Sequence, residues 1–152
     1  MASTRPTGPT PIPSRRRPRP SGDEEAGPTL RLGEMSHSTP ISVASANEIL
    51  KSIATSRSQQ NKDLPHNELT KKMTDYTETF ARFKGGEIVS SVTSEAGTLG
   101  GVLGEWEVAQ LVSLCCDTPD EARTLIPSVE GKIEDEELRV VLDNISRLRN
   151  FT

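Results

Sequence analysis

The sequence of residues 69–83 is Leu69-Thr-Lys-Lys-Met73-Thr-Asp-Tyr76-Thr-Glu-Thr-Phe80-Ala-Arg-Phe83. Its five large apolar side chains recur at steps of four, three, four and three residues. This spacing predicts an amphipathic α-helix with all five side chains along one face. Gly85 and Gly86 follow, and we expect them to end the helix as a C-terminal glycine cap. The stretch also contains three of the five aromatic residues of the chain.

A second apolar stripe precedes this helix. The segment Ser45-Ala-Asn-Glu48 fits a capping box near the start of a helix that begins at about Ser42, and the polar stretch 55–63 is expected to end it. The two helices together predict a helical hairpin within residues 42–83. The stripe of the first helix consists of Val43, Ala46, Ile49, Leu50 and Ile53.

Residues 84–152 predict four more helices. The strongest local signal is Thr118-Pro-Asp-Glu121, because threonine caps a helix, proline suits its first position and the glutamate reaches back to the cap. The last helix is expected from about Glu134 to Arg149. The predicted fold class is therefore all-α, a helical hairpin followed by a four-helix module. The stripe of the last helix consists of Leu138, Val141, Leu142, Ile145 and Leu148.

Residues 1–28 predict a disordered basic tail, because they contain seven of the eleven prolines and almost no apolar side chains to bury. Residues 1–20 carry five arginines and no acid, whereas residues 21–152 hold 13 basic and 22 acidic residues, a net charge of −9. The segment that follows the tail predicts a short strand with Leu30 and Leu32 on one side. It is expected to be a loop or to pair with a sheet edge of another chain.

No pattern for catalysis, a cofactor or a metal is found. The glycine-rich stretch 97–104 matches neither the dinucleotide-binding nor the phosphate-loop motif, and no lysine follows it. Cys115 and Cys116 are adjacent, which disfavours a disulfide between them, and both lie far from His37 and His66 in the sequence. No apolar run approaches the roughly 18–20 residues that span a bilayer. We expect a non-enzymatic protein without cofactor, metal or membrane span.

The hairpin predicts a partner protein. Burying five aliphatic side chains of one helix contributes roughly 7–15 kcal/mol, whereas ordering about 15 residues costs roughly 20 kcal/mol, so such a helix needs neighbours. The hairpin must therefore dock on the second half of the chain or on another protein, and we expect the latter. The predicted partner-binding residues are Leu30, Leu32, Ile49, Leu50, Ile53, Met73, Tyr76, Phe80 and Phe83.

Several sequence blocks occur in a recognisable order. They are Leu30-Arg-Leu-Gly33, Ile41-Ser-Val-Ala-Ser-Ala46, Phe80-Ala-Arg-Phe83, Glu107-Val-Ala-Gln-Leu111 with Leu114-Cys115, Glu121-Ala-Arg-Thr-Leu-Ile-Pro-Ser128, and Gly131-Lys132 through Leu138 to Leu148 and Phe151. With these blocks, residues 29–152 resemble the fourth subunit of RNA polymerase II. Members of that family pair with the seventh subunit to form the stalk of the polymerase.

The resemblance implies three regions: a tail in 1–28, an N-terminal strand and partner-docking hairpin in 29–83, and a module in 84–152 like the helicase-and-RNase-D C-terminal (HRDC) domain. It implies a non-catalytic stalk subunit that contacts the polymerase core through the clamp, binds RNA mainly through its partner and supports initiation and RNA exit. It also implies a nuclear location, with shuttling to the cytoplasm left open. The basic run 14–20 fits a nuclear address or a phosphate-contacting arm.

Two alternatives remain at this point. The first is the equivalent stalk subunit of RNA polymerase III or of a plant-specific polymerase, which would share the hairpin and the module. The second belongs to another class, a free-standing HRDC-like nucleic-acid adaptor. That adaptor would bind RNA with a steep salt dependence, although the acidic body of the chain is unlike the basic surface of most nucleic-acid binders.

Overall fold

The computed structural model describes residues 24–60 and 68–149. In these residues the predicted all-α fold class is confirmed, with a hairpin of two helices and four helices after it. The described elements are β1 (Glu25–Ala26), β2 (Leu30–Arg31), α1 (Val43–Gln59), α2 (Glu68–Phe80), α3 (Gly86–Gly97), α4 (Glu105–Leu114), α5 (Pro119–Leu125) and α6 (Asp135–Arg149), with 3₁₀ turns at Gly33–His37, Thr98–Gly101 and Pro127–Val129.

The two short strands form an antiparallel hairpin in which Ala26 is opposite Leu30. From the sequence we expected Leu30 to lie in a loop or to pair with another chain, but it pairs within its own chain. Gly27 and Pro28 lie between the strands and are residues that favour tight turns. Residues 24–28, which composition assigned to the tail, therefore belong to this β-hairpin. Residues 1–23 of the predicted tail lie outside the described residues.

Helix α1 begins with a side-chain cap that also fastens it to the module. The hydroxyl of Ser42 accepts the N–H of Ser45 at 3.1 Å, which satisfies one of the free donors of the first turn. The N–H of Val43 donates to Ser113 Oγ on α4, also at 3.1 Å. The helix then continues to Gln59 and includes the first five residues of the polar stretch that we expected to end it.

Helix α2 ends earlier than its apolar spacing predicts. It stops at Phe80, and Phe83 is fully buried in the core of the module. Because Phe83 must enter this core, the chain leaves the helical path after Phe80. The prediction that glycines cap α2 is therefore wrong. Gly85, with φ of 90°, lies instead at the beginning of α3.

The module formed by α3 to α6 encloses the core. The predicted cap of α5 is confirmed, since Thr118 Oγ1 accepts the N–H of Glu121 at 3.2 Å. The carboxylate of Glu121 accepts the N–H of Asp117, one residue before the cap, at 2.8 Å. Four of the five stripe residues of α6 are buried and the fifth is partly buried, so this helix closes the core as its spacing predicts.

The two cysteines lie at the end of α4. Cys115 ends the helix in the left-handed conformation, with φ of 54°, and Cys116 follows it into the core. Both are free and buried. Burial raises the pKa of the Cys116 thiol to about 11, so the thiol is protonated and unreactive at neutral pH.

Candidate partner-docking surface

Helix α1 turns a small and a polar residue inward. Ala44 belongs to the core and Asn47 is only 2% exposed, although no described residue offers a hydrogen-bond partner to the side-chain oxygen of Asn47. Ile49 and Ile53, from the predicted stripe, are 48% and 41% exposed. The apolar face of α1 is therefore not used to cover the core of its own chain.

Helix α2 likewise buries a polar residue and exposes its large apolar ones. Its buried residue is Thr77, whereas Met73, Tyr76 and Phe80 are about half exposed. The rings of Tyr76 and Phe80 contact each other, with centroids 4.7 Å apart and planes inclined at 41°. This pair presents a rigid aromatic surface to the outside, of the kind that is enriched where proteins bind one another.

We call the exposed apolar side chains of the hairpin the docking surface. A groove of about 510 Å³ runs between α1 and α2 within it. A second groove of about 260 Å³ continues from it towards α4, and Ile41 lines both grooves. Contiguous apolar patches of this kind mark interaction sites on soluble proteins. The docking surface consists of Ile41, Ile49, Ile53, Leu69, Met73, Tyr76 and Phe80.

The predicted site residues divide into four groups. Five of them, Ile49, Ile53, Met73, Tyr76 and Phe80, lie on the docking surface. Leu50 is half-buried and lines the groove between the two helices. Phe83 is fully buried in its own chain and has no surface left for a partner.

Leu30 and Leu32, the fourth group, are half-buried at a separate groove of about 500 Å³. Trp106 also lines this groove while packing against the core. Two members of the docking surface were not among the predicted site residues. Ile41 precedes the first helix and therefore lies outside its stripe, and Leu69 begins the stripe of the second helix.

A buried carboxylate in the module is a feature that sequence patterns did not reveal. Glu107 on α4 is fully buried and accepts hydrogen bonds from Lys132 Nζ at 2.6 Å, from the N–H of Gly104 at 2.8 Å and from the hydroxyl of Ser128. Burial raises the pKa of Glu107, but these hydrogen bonds and the charge of Lys132 outweigh burial and hold the pKa below its ordinary value. The carboxylate therefore ties α4 to the segment between α5 and α6.

This arrangement gives the buried carboxylate a structural role. The carboxylate is occupied by three donors, and both it and its serine partner Ser128 are buried away from solvent. In residues 24–60 and 68–149, no group of three His, Cys, Asp or Glu side chains could hold a metal ion. Over the same ranges, no helix has both the length and the apolar character needed to cross a membrane.

Comparison with known proteins identifies the family. The family model for RNA polymerase Rpb4 matches residues 40–149, which include the docking surface and the Glu107 contacts. The chain belongs to the RNA polymerase Rpb4 family. The resemblance to the fourth subunit of RNA polymerase II, first drawn from the sequence blocks, is thereby confirmed.

Three relatives show how far the similarity extends. The chain is 36% identical to DNA-directed RNA polymerase II subunit rpb4 of Schizosaccharomyces pombe over 130 residues, covering 84% of this chain and 94% of the relative. It is 46% identical to subunit RPB4 of Saccharomyces cerevisiae over 91 residues, or 60% of this chain and 38% of the relative. It is 41% identical to subunit rpb4 of Dictyostelium discoideum over 76 residues, or 50% of this chain and 47% of the relative.

Proposed function

We propose that the chain is a non-catalytic subunit of RNA polymerase II that forms the stalk heterodimer with the seventh subunit through its docking surface. The observation that carries this proposal is the set of large apolar side chains left exposed on α1 and α2. The three relatives, each named as a subunit of RNA polymerase II, support the assignment to this polymerase.

Covering the docking surface would supply much of the free energy that association requires. Fully burying an aliphatic or aromatic side chain contributes about 1.5–3 kcal/mol, so covering the exposed half of seven such residues contributes roughly 5–10 kcal/mol. This gain is comparable with the roughly 4–15 kcal/mol lost in translational and rotational freedom on association. Polar contacts at the rim would supply the rest of the binding free energy and would make the heterodimer specific.

The proposed role in the polymerase follows from the negative charge of the body of the chain. Residues 21–152 carry a net charge of −9, and such a body repels the phosphates of RNA. The partner would therefore make most of the RNA contacts, while this subunit supports the clamp, initiation and RNA exit. A polymerase II subunit of this kind works in the nucleus.

Gel filtration after co-expression with a candidate seventh subunit tests the docking surface. We expect a 1:1 complex with the wild-type chain and none with Phe80→Asp, because the charge would be buried among apolar groups. Val140→Asp is the matched control, since Val140 is 60% exposed on α6, outside the hairpin. A complex that tolerates Phe80→Asp would remove the hairpin from the contact.

Two further measurements separate the proposal from its alternatives. Co-purification of the largest catalytic subunit identifies the polymerase, and recovery of the polymerase III or a plant-specific subunit would reassign the chain. A free-standing adaptor would bind RNA alone, with affinity falling steeply as salt rises. The stalk proposal instead predicts negligible RNA binding by the isolated chain at 150 mM salt and binding only with its partner.

A further inference from the structure

Three threonines of the chain precede proline: Thr10, Thr39 and Thr118. Threonine followed by proline is the substrate signature of proline-directed protein kinases, which bind their substrates in an extended conformation. Thr10 lies outside the described residues. The structure distinguishes sharply between the other two, although both side chains are exposed.

Thr118 itself has an extended backbone, with φ of −135° and ψ of 154°, but it caps a helix that begins at the next residue. Its hydroxyl accepts the N–H of Glu121 at 3.2 Å as the cap of α5. Pro119 is buried and occupies the first position of that helix. An extended backbone on both sides of Thr118 would therefore require α5 to unwind and its buried residues to leave the core.

Thr39 lies in a segment that is already irregular and outside the core. It stands between the 3₁₀ turn that ends at His37 and the cap of α1 at Ser42. Ser38, next to it, has an extended backbone with φ of −95° and ψ of 135°. The described contacts include no hydrogen bond from the Thr39 hydroxyl. Binding of this segment in the active site of a kinase would therefore disrupt neither a helix cap nor a helix.

We propose that Thr39 is phosphorylated by a proline-directed kinase and that the phosphate weakens partner docking. The regulatory half of this proposal rests on the function proposed above. In the reaction, Thr39 Oγ1 forms a bond to the γ-phosphorus of ATP while the bond from that phosphorus to the β,γ-bridging oxygen breaks. ADP leaves, and the hydroxyl proton passes through a base of the kinase to solvent.

The position of Thr39 explains the effect on docking. Its Cα atom lies at most about 7 Å from that of Ile41, two residues away, which is within the screening length of about 8 Å at physiological salt. Ile41 lines both grooves of the docking surface. A phosphate of charge about −1.5 to −2 would therefore lose water whenever a partner covered Ile41.

The groove that Thr39 lines does not neutralise such a charge. Thr39 lines a further groove, of about 340 Å³, which is also lined by Ile41 and runs between α3 and α4. The charged side chain in the described lining of this groove is Glu105, which repels a phosphate. Phosphorylation therefore adds a negative charge, with no cation in the described lining of this groove, beside an apolar contact, which disfavours burial.

Site occupancy is tested first, on the full chain in a Thr10→Val background. The chain is incubated with a recombinant proline-directed kinase and Mg-ATP, and phosphorylation at each site is quantified by mass spectrometry. The same measurement is made on two further variants of this background, one carrying Thr39→Val and the other Thr118→Val. We expect phosphate at Thr39 and little at Thr118, whereas synthetic peptides around either threonine are both modified. A folded chain without phosphate at Thr39, or with equal rates at the two threonines, overturns the site.

Affinity for the seventh subunit is then compared before and after the kinase reaction. We expect about tenfold weaker binding of the phosphorylated chain, and unchanged binding of kinase-treated Thr39→Val. Equal affinity of both forms overturns the regulation while leaving the docking function intact. A lack of binding by the unmodified chain instead overturns the proposed function and the regulation that rests on it, whereas the mass spectrum still decides the phosphorylation site.

Discussion

Helices α2 and α6 have the same kind of apolar spacing and opposite surroundings. In α6 the stripe is buried against the other helices of the module, whereas in α2 the stripe is exposed and Thr77 is the residue turned inward. Periodicity therefore predicts that a helix has an apolar face, but it does not say which polypeptide covers that face. The last helix of the module has its stripe covered by its own chain, whereas the stripes of the hairpin are largely exposed.

Two phenylalanines three residues apart test this comparison with the largest expected effect. Phe83 is fully buried and Phe80 is 53% exposed. We expect Phe83→Ala to lower the free energy of unfolding by about 3–5 kcal/mol, because it leaves a cavity in the core. Phe80→Ala should change it by less than about 0.5 kcal/mol in the isolated chain. Urea unfolding of both variants measures the difference, and equal losses would mean that the hairpin stripe is buried.

Removing a contact of Glu107 tests how much this buried carboxylate stabilises the module, and we expect a loss of stability of intermediate size. Lys132→Met leaves a fully buried carboxylate without its cation. We expect a loss of about 2 kcal/mol at pH 7, less than for a wholly buried pair because the Lys132 side chain is 43% exposed to screening solvent. The control is Lys51→Met in the exposed hairpin pair with Glu48, which should cost less than about 0.5 kcal/mol.

The same variant has a predicted pH dependence. The pKa of Glu107 is lower in the folded chain than its ordinary value of 4.5. Its stabilising contribution is therefore complete above pH 4.5 and is lost as the pH falls through the folded value. The difference between wild type and Lys132→Met should accordingly shrink below pH 4.5. A difference that is constant from pH 7 to pH 3 would show that the charge of Glu107 is not involved.

The helix caps give the smallest effect and the finest comparison. Ser42 caps α1 of the hairpin and Thr118 caps α5 of the module, each by accepting the N–H three residues ahead. Each change to alanine should cost about 1 kcal/mol. We expect Thr118→Ala to lower global stability, and Ser42→Ala to accelerate amide exchange mainly within α1. Exchange that accelerates equally in both regions after Ser42→Ala would show that they unfold as one unit.

Local signals predicted most of the helices. The Thr118 cap and the α6 stripe need only residues within one helix, and both were correctly placed from the sequence. The end of α2 was misplaced because two glycines after a helix suit either its end or the start of the next one. Burial of Phe83 decides between these outcomes, and it depends on helices that lie far along the chain.

The candidate site was predictable to the extent that it depends on one helix. The spacing of Met73, Tyr76 and Phe80 placed them on one face, and their exposure followed from the shortage of covering helices. Glu107 could not be found in this way. Its partners Ser128 and Lys132 lie 21 and 25 residues away, so an acidic residue near a helix start looked like an ordinary solvated one.

The unsatisfied side-chain oxygen of Asn47 has a mechanical consequence. An unsatisfied buried polar group weakens the packing around it, and the joint between α1 and the module contains this group and a small residue, Ala44. Under a pulling force the hairpin should therefore peel away first, while the salt bridge of Glu107 keeps the remaining helices together.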